Sequence, residues 1–339
     1  MKKSKLVVLF LSIFLLTGCA KTLVDENKKI VTYDASIICN KCSCDNIEDE
    51  SEKTTCKNNC DNKCENAKAN QTGQRLTKNI LCKPTNADVI EIYETYGVDI
   101  NSLPSCSNFK LISNYEGLWV SLFVKPLAWL ILKTGNFFSN YGLALVLISI
   151  LIRLILMPMT KKTAMQSENL KKAEPELNRI NKKYENKTDQ QSQIEKSQET
   201  LMVYKKYGIN PMSSCLFAFI QIPLLFAFIE AINRTPAIFE GKFLGLHLGT
   251  TPWLAITSGS WYYIFVVIIL GVITHYSFKL NKGAAAPGAD TAKQMDTMNK
   301  FMLVFIVYAS FTLSTAICLY WISSSLCTVI QNLWVKRVK

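Results

Sequence analysis

The chain has 339 residues, of which 49% are hydrophobic, and a formal net charge of +12. Residues 19–116 contain 12 Lys/Arg and 15 Asp/Glu, whereas residues 120–339 contain 23 Lys/Arg and 11 Asp/Glu, placed mainly between long apolar stretches. This segregation argues against an ordinary soluble protein and against a general nucleic-acid binder, and it indicates a membrane protein with basic loops.

The first 20 residues have the organisation of an export signal. Three lysines precede a predominantly apolar stretch of eleven residues at 6–16, which is shorter than the roughly 20 residues of a transmembrane helix. Residues 16–19 read Leu-Thr-Gly-Cys, which resembles a bacterial lipobox. The sequence therefore predicts a signal peptide at 1–18 and a lipidated Cys19. The alternative is an uncleaved N-terminal anchor with an incidental cysteine.

Residues 19–116 are predicted to form a cysteine-rich, lipid-anchored segment outside the cell. Its eight further cysteines are Cys39, Cys42, Cys44, Cys56, Cys60, Cys64, Cys82 and Cys106. Disulfides persist outside the cell, so these cysteines are predicted to be paired, although 105 complete pairings are possible. Cys56, Cys60 and Cys64 lie four residues apart and could attach a short helix to Cys39, Cys42 and Cys44. Two alternatives stay open: metal binding through Cys39, Cys42 and Cys44, and a mixture of disulfides and free thiols.

Residues 117–138 are apolar but contain two Trp, two Lys and a proline. This composition predicts a helix lying in the outer membrane interface. The alternative is an additional membrane span.

Five apolar stretches are predicted to cross the bilayer as helices. They occupy residues 139–159, 212–232, 261–280, 299–314 and 315–335. The last two would form a helix of about 55 Å if they were unbroken, much longer than a hydrocarbon core of about 30 Å. We therefore expect a very short turn near residues 313–315.

Basic residues indicate the orientation of these spans. Residues 160–211 contain 11 Lys/Arg, residues 279–300 contain four and residues 336–339 contain three, whereas residues 233–260 contain two. Cytoplasmic loops carry the positive excess in membrane proteins. The first span is thus predicted to start outside and the C-terminus to lie in the cytoplasm, in agreement with the export signal.

One basic residue, Arg153, lies inside the first span with apolar neighbours on both sides. A charge at the bilayer centre costs about 2.5–3.5 kcal/mol on the lenient insertion scale, so we expect Arg153 to face a hydrated cavity. The alternative is a side chain that reaches the cytoplasmic surface. Ser149 lies one turn earlier on the same face. Further candidates for a polar lining are Gln221, Tyr276, Ser277 and Trp321.

Residues 160–208 are predicted to form a hairpin of two charged helices, with a break or kink at Pro175. Its few apolar residues indicate little core. The hairpin is interpreted either as a docking element for substrate or ribosome, or as a solvated connector.

Several motifs resemble the YidC family of membrane protein insertases, which are relatives of the mitochondrial Oxa and chloroplast Albino proteins. The strongest are Ile-Arg-Leu-Ile-Leu-Met-Pro-Met-Thr at 152–160, Tyr-Lys-Lys-Tyr-Gly-Ile-Asn-Pro at 204–211, Ile-Gln-Ile-Pro-Leu-Leu-Phe-Ala at 220–227 and Leu-Tyr-Trp-Ile-Ser-Ser-Ser-Leu at 319–326. Each is weak alone, but together they occur in the family's order across residues 115–336. Residues 312–315 differ from the family's usual Pro-Gly-like turn, and residues 20–110 match nothing in the family.

The resemblance implies an all-α membrane protein, with five transmembrane helices at 139–339 around a hydrophilic groove and a cytoplasmic hairpin at 160–211. It implies that Arg153 supplies the charge of the groove, with Ser149 and Trp321 in its lining. The implied function is insertion and chaperoning of nascent membrane proteins, alone or with the Sec translocon, the signal recognition particle receptor and the ribosome, in contact with membrane lipids. The resemblance implies no cofactor, no metal and no enzymatic activity. The alternative functions are a small-solute transporter or channel using the same groove, and a structural lipoprotein.

Overall fold

The computed structural model describes residues 20–44, 47–112, 115–210, 212–281 and 289–337. Cys19 and the predicted signal peptide lie outside these residues. The described chain is mostly helical, as the sequence predicts. It divides into two compact units. The first unit comprises Met1–Ile148, Leu225–Val266 and Ser310–Tyr320, and the second comprises Ser149–Leu224, Val267–Ala309 and Trp321–Lys339.

The first unit begins with an N-terminal domain that contains the helices α1 (Ala35–Lys41), α2 (Glu50–Asn70) and α3 (Ala87–Thr95). Each starts at an Asp or Asn whose side chain accepts a hydrogen bond from a main-chain amide of the first turn, which satisfies donors that the helix itself leaves unpaired. The capping residues are Asp34, Asp49 and Asn86.

Helix α2 is polar around most of its circumference, and over residues 50–68, where its side chains are described, it buries little besides Ala67. Cysteine sulfurs attach it to α1 and to the segment after α1. The pairs at disulfide distance are Cys39–Cys64, Cys42–Cys60, Cys44–Cys56 and, beyond α2, Cys82–Cys106. Because a helix without an apolar face gains little from burial, these covalent links hold α2 in place.

The N-terminal domain has a compact hydrophobic core, larger than its polar composition suggests. Tyr93, Ile92 and Leu76 are fully buried in it. Phe239, from the loop after the second predicted span, lies in the same core and is 1% exposed. The domain therefore completes its core with a residue from a distant part of the chain.

Residues 233–240 bind the N-terminal domain through polar contacts as well. Gln74 Nε2 donates a hydrogen bond to Asn233 Oδ1 at 2.9 Å, and Thr77 Oγ1 donates to the main-chain carbonyl of Asn233 at 3.2 Å. The main-chain amide of Thr85 donates to Glu240 Oε2 at 3.1 Å. These bonds fix the loop to the domain on both sides of Phe239.

A charge cluster, which we call the Arg234 cluster, comprises the buried Arg234 and Glu230 and the more exposed Glu116. Arg234 is 1% exposed; its Nη1 donates to Glu230 Oε1 at 3.1 Å, and its Nη2 donates to Glu116. Its Nε donates to the main-chain carbonyl of Asn79 at 2.6 Å, and its own carbonyl accepts from the amide of Leu81 at 2.8 Å. The cluster thus joins the end of the second predicted span to the N-terminal domain.

The predicted interfacial helix starts with a wide π-helical turn, Val120–Val124, and continues as α4 (Lys125–Phe138). Pro126 lacks an amide proton and occupies the first turn of α4, where that donor is not needed. Trp119 Nε1 donates to Glu230 at 2.9 Å, and Lys125 Nζ lies 3.2 Å from Glu116. Lys125 is 2% exposed, so this lysine is a buried ion-pair partner within the first unit.

Residues 234–263 form short elements: α9 (Pro236–Phe239), strands β1 (Lys242–Phe243) and β2 (Leu246–His247), and α10 (Pro252–Thr257). The strands pair antiparallel, Lys242 with His247 and Phe243 with Leu246. This small hairpin is a departure from the all-α expectation.

Each predicted span contains a helix. They are α5 (Tyr141–Ile155), α8 (Met212–Asn233), α11 (Ile264–Asn281), α12 (Ala289–Thr312) and α13 (Thr315–Arg337). Among the described residues, Trp261–Leu280 and Thr315–Trp334 are long and apolar enough to cross a membrane. Tyr141–Ile155, Pro223–Asn233 and Asn299–Thr312 are shorter apolar helices. The break at residues 313–314 lies where the sequence predicts a short turn.

The predicted charged hairpin consists of α6 (Met157–Lys183) and α7 (Gln190–Tyr207) in the second unit. Helix α6 continues through Pro175. The two helices share a small core, which the sparse apolar pattern did not suggest: Ala173, Leu177, Ile180, Tyr184, Val203 and Tyr204. Helix α7 ends at Gly208, whose φ of 62° lies in the left-handed region that glycine adopts readily.

Candidate functional site

The second unit contains a hydrogen bond between the predicted charge of the groove and the last span. Arg153, on α5, is 6% exposed. Its Nε and Nη2 donate to Ser324 Oγ, on α13, at 2.8 and 2.6 Å. The guanidinium therefore lies against a neutral hydroxyl inside the unit and does not extend to a surface.

Ser324 belongs to a line of polar residues on one face of α13. Ser324, Thr328 and Asn332 follow one another at intervals of four residues, and all three are buried. Thr328 Oγ1 donates to the carbonyl of Ser324 at 3.0 Å, and Asn332 Nδ2 donates to that of Thr328 at 2.9 Å. Such bonds to the preceding turn allow polar side chains to be buried in an apolar helix. Ser323 and Ser325 are buried as well.

Helix α11 has buried polar side chains one turn apart. Thr274 is 1% exposed and Ser277 is 7% exposed. Tyr276, which the sequence analysis named as a lining candidate, is 53% exposed. Since neighbouring residues on a helix point in different directions, Ser277 and not Tyr276 has its side chain inside the second unit.

The remaining predicted lining residues, Ser149, Trp321 and Gln221, differ in how deeply their side chains are buried or in whether they are described. Ser149 is 1% exposed and lies one turn before Arg153 on α5. Trp321 lies three residues before Ser324 on α13 and is partly buried. Gln221 is on α8, but its side chain is outside the part of the structure that is described.

Sequence reasoning missed the residue that contacts Arg153. Ser324 lies in a run of three serines in an otherwise apolar helix, and this run was the available signal. Small hydroxyl side chains can accept hydrogen bonds from a guanidinium while occupying little space. Together, Arg153 and the polar face of α13 place a positive charge against neutral polar side chains inside the second unit.

Ion pairs between α6 and α7 shift the pKa values of the charged groups on the hairpin. Hydrogen bonds from Lys206 and then Tyr207 lower the pKa of Glu176. A hydrogen bond from Lys183 lowers the pKa of Glu199, and the same bond raises the pKa of Lys183. The ionised forms therefore favour the paired hairpin.

The sulfurs of Cys44, Cys56 and Cys60 lie within 4.8 Å of one another, close enough to hold a metal ion. However, each is at disulfide distance from a partner, Cys44 from Cys56 and Cys60 from Cys42. A thiol that is oxidised to a disulfide does not supply the thiolate that zinc and similar ions bind. The geometry favours the disulfide alternative for this cluster.

Comparison with known proteins places the chain among membrane proteins. A family model described as 60Kd inner membrane protein matches residues 133–339. The membrane protein insertase YidC of Oceanobacillus iheyensis is 31% identical over 234 residues, which cover 68% of this chain and 88% of that protein. The membrane protein insertase MisCA of Bacillus subtilis is 32% identical over 237 residues, covering 69% and 86%. The membrane protein insertase YidC 2 of Bacillus anthracis is 34% identical over 221 residues, covering 65% and 82%.

Proposed function

We propose, because this chain belongs to the YidC family of membrane protein insertases, that it inserts other proteins into the bacterial cell membrane. In this proposal α5, α8, α11, α12 and α13 cross the membrane. The N-terminal domain lies outside, and the basic hairpin and the C-terminus lie in the cytoplasm. The distribution of basic residues between the loops supports this orientation.

The observation that carries the proposal is the buried Arg153 on an apolar helix, hydrogen-bonded to Ser324. A charge in such a place is costly unless it has polar or hydrated surroundings. The buried serines, threonine and asparagine of α13 supply polar groups in the same unit. We infer that these residues line a hydrophilic groove that is open to the cytoplasm and carries the positive charge of Arg153.

Such a groove would lower the barrier to moving the polar end of a client protein across the membrane. An acidic or polar segment would be attracted by Arg153 and would cross a shorter hydrocarbon thickness. Apolar segments of the client would then leave sideways into lipid, where they are most stable. The driving force is the transfer of apolar surface into the bilayer.

The remaining parts of the proposal concern partners and attachment. The basic hairpin α6–α7 is proposed to receive nascent chains, with the ribosome, the signal recognition particle receptor and the Sec translocon as partners. Its exposed Leu201 and Met202 offer an apolar contact surface beside charged residues. Lipidation of Cys19 would add a second attachment outside the cell.

Insertion by the purified protein in liposomes tests the proposal. The client is a single-span protein with an acidic external segment, and protection from protease measures its insertion. Wild type is compared with Arg153→Ala and Arg153→Lys. Arg75→Ala, which removes an exposed positive charge from the N-terminal domain, is the matched control. We expect Arg153→Ala to reduce the insertion rate by about tenfold or more, which corresponds to roughly 1.4 kcal/mol or more.

The pattern among the variants separates the explanations. Arg153→Lys and Arg75→Ala should retain most of the activity, because they keep a positive charge in the groove. If Arg153→Ala inserts as well as wild type, the groove mechanism is wrong while the insertase function stands. If wild type inserts nothing but releases small solutes from the vesicles, the protein is a transporter or channel.

A further inference from the structure

The β1–β2 hairpin of the first unit presents a large apolar side chain where a polar residue is usual. Its two-residue turn consists of Leu244, with φ of 50°, and Gly245, with φ of 81°. A turn of this kind needs positive φ at both positions and is normally formed by Asn-Gly or Gly-Gly. Leucine is disfavoured in the left-handed region, because its Cβ approaches the following carbonyl.

Packing against the described residues does not explain the strained leucine. Leu244 is 85% exposed. A Cβ added to Gly245 would meet nothing within 4 Å, so the turn projects into open space. An exposed leucine at a strained position of a tight turn is a reason to look for a partner that covers it.

The hairpin is attached to the ends of two helices of the proposed membrane region. Phe243 lies directly against Gly142, the second residue of α5, where an added Cβ would be 2.3 Å from the Phe243 Cβ. The main-chain amide of His247 donates to Tyr263 Oη at 2.7 Å, and Tyr263 immediately precedes α11. Leu244 is therefore held near the level at which these two helices begin.

Other exposed apolar residues occur near the same end of α5. Phe137, which is 81% exposed, and Phe138 end helix α4 shortly before α5 starts. The centroids of their two rings lie 4.9 Å apart, and the rings meet edge to face. Lys242, at the base of the hairpin, is exposed. Apolar side chains flanked by a cation suit the boundary between acyl chains and anionic headgroups.

We propose that Leu244 and Phe137 insert into the outer leaflet and anchor the first unit in lipid, with Lys242 at the level of the phosphates. This inference rests on the membrane orientation proposed above. It assigns a role to the β1–β2 hairpin, which lies in none of the predicted groove elements. We assign lipid as the partner that covers Leu244, because the β1–β2 hairpin is fixed to the start of two helices that lipid is proposed to surround.

Fluorescence quenching in liposomes tests this proposal. An environment-sensitive NBD probe is attached to Leu244→Cys in full-length protein whose Cys215, Cys318 and Cys327 are replaced by alanine. The same probe is placed by Ile268→Cys on the exposed face of α11, and by Glu94→Cys on the exposed side of the N-terminal domain. Phe137→Cys provides a second probe of the anchor in case Leu244→Cys does not fold. Quenchers are nitroxide-labelled lipids and a water-soluble nitroxide.

We expect the probes at 244 and 137 to be quenched most by lipid with the nitroxide near the headgroup, at a depth of about 5–10 Å. The probe at 268 should be quenched more by nitroxide deep in the acyl chains, and the probe at 94 only by the soluble nitroxide. If position 268 meets lipid but 244 and 137 meet only water, the anchor is disproved while the membrane placement stands. If 268 also meets only water, the proposed placement itself is wrong. A probe at 244 that becomes shielded only when client protein is added would overturn the lipid assignment in favour of a client contact.

Discussion

Arg234 donates a hydrogen bond from Nε to the main-chain carbonyl of Asn79 at 2.6 Å, although 155 residues separate them in the chain. The same guanidinium pairs with Glu230 and Glu116. One buried side chain thus connects the N-terminal domain, the residues before the π-helical turn and the end of α8. Lys125, the other buried cation that pairs with Glu116, contacts only one member of the cluster in the bonds described above, so Arg234 is its central residue.

Replacement of Arg234 by methionine should strongly destabilise the protein. The variant leaves Glu230 buried without its cation, and breaking a buried ion pair in this way costs about 3–5 kcal/mol. Thermal unfolding in detergent measures the loss. Lys133→Met, which removes an exposed cation from α4, should change stability by less than about 0.5 kcal/mol. Equal melting temperatures for the two variants would contradict the role of the Arg234 cluster.

Phe239→Ala should destabilise the N-terminal domain even though residue 239 lies far from it in sequence. Removing a buried phenylalanine costs about 3–5 kcal/mol, because a cavity is left in the core. Protease cleavage within residues 20–110 reports the loss. Phe137→Ala, at an exposed position, is the control and should leave cleavage of the domain unchanged. A domain that resists protease equally in both variants would show that Phe239 is not part of its core.

Ser324→Ala should weaken the packing of α5 against α13. The change removes the acceptor for two nitrogens of Arg153, and leaving such buried donors without this partner costs about 1–3 kcal/mol. Ser324→Thr keeps a hydroxyl and should be milder. Unfolding in detergent and client insertion can be measured on the same preparations. A threonine variant that is as impaired as the alanine variant would point to crowding at this position and not to the hydrogen bond.

The α6–α7 hairpin should lose stability in acid. Glu176 and Glu199 have folded-state pKa values below the ordinary 4.5, so their contribution is complete above about pH 4.5 and is lost as the pH falls through the lowered values. Hydrogen exchange of α6 and α7 amides between pH 6 and pH 3, corrected for intrinsic rates, measures this loss. The double variant Glu176→Gln, Glu199→Gln should lose the part of this pH dependence that the two ion pairs supply. It should keep the part from Asp189, whose pKa is lowered by the hydrogen bond from the main-chain amide of Ser192 at the start of α7. If it shows the same decline as wild type, other groups are responsible.

Peptide mapping without reduction should recover four disulfides in the exported protein. The expected pairs are Cys39–Cys64, Cys42–Cys60, Cys44–Cys56 and Cys82–Cys106. Stoichiometric zinc together with free thiols in residues 39–64 would instead support the metal alternative. The double variant Cys82→Ser, Cys106→Ser should increase the mobility of residues 79–86, which contact Arg234 and Glu240.

The helices of the proposed membrane region were predictable because their signals are local. Long apolar stretches between basic loops located all five helices, and chain length alone required the break near residues 313–314. Arg153 was identifiable for the same reason, since a charge within an apolar stretch stands out. Its partner Ser324 was not, because serine is common in helices and only the packing of α5 against α13 makes it an acceptor.

The N-terminal domain was predicted less well, because its structure depends on contacts between distant residues. The spacing of six cysteines indicated that α2 would be attached to the segment containing Cys39, Cys42 and Cys44, but it did not fix the pairs. Nothing local in the sequence indicates that Phe239 completes the core or that Arg234 is buried. Tyr276 illustrates a different limit. The sequence offered both Tyr276 and Ser277 as lining candidates, and only the packing of the helices shows that Ser277 is buried and Tyr276 exposed.

The presence of Phe239 in the N-terminal core sets an order for biosynthesis. Residues 20–110 leave the ribosome first, but their last core residue and the Arg234 guanidinium are made much later. At about 5–20 residues per second, the 155 residues between Asn79 and Arg234 correspond to about 8–30 s. In the proposed topology, the exported domain therefore waits with an incomplete core until α8 has entered the membrane and its outer loop has crossed. Maturation of the domain would report that the second span of the protein's own chain has been correctly placed.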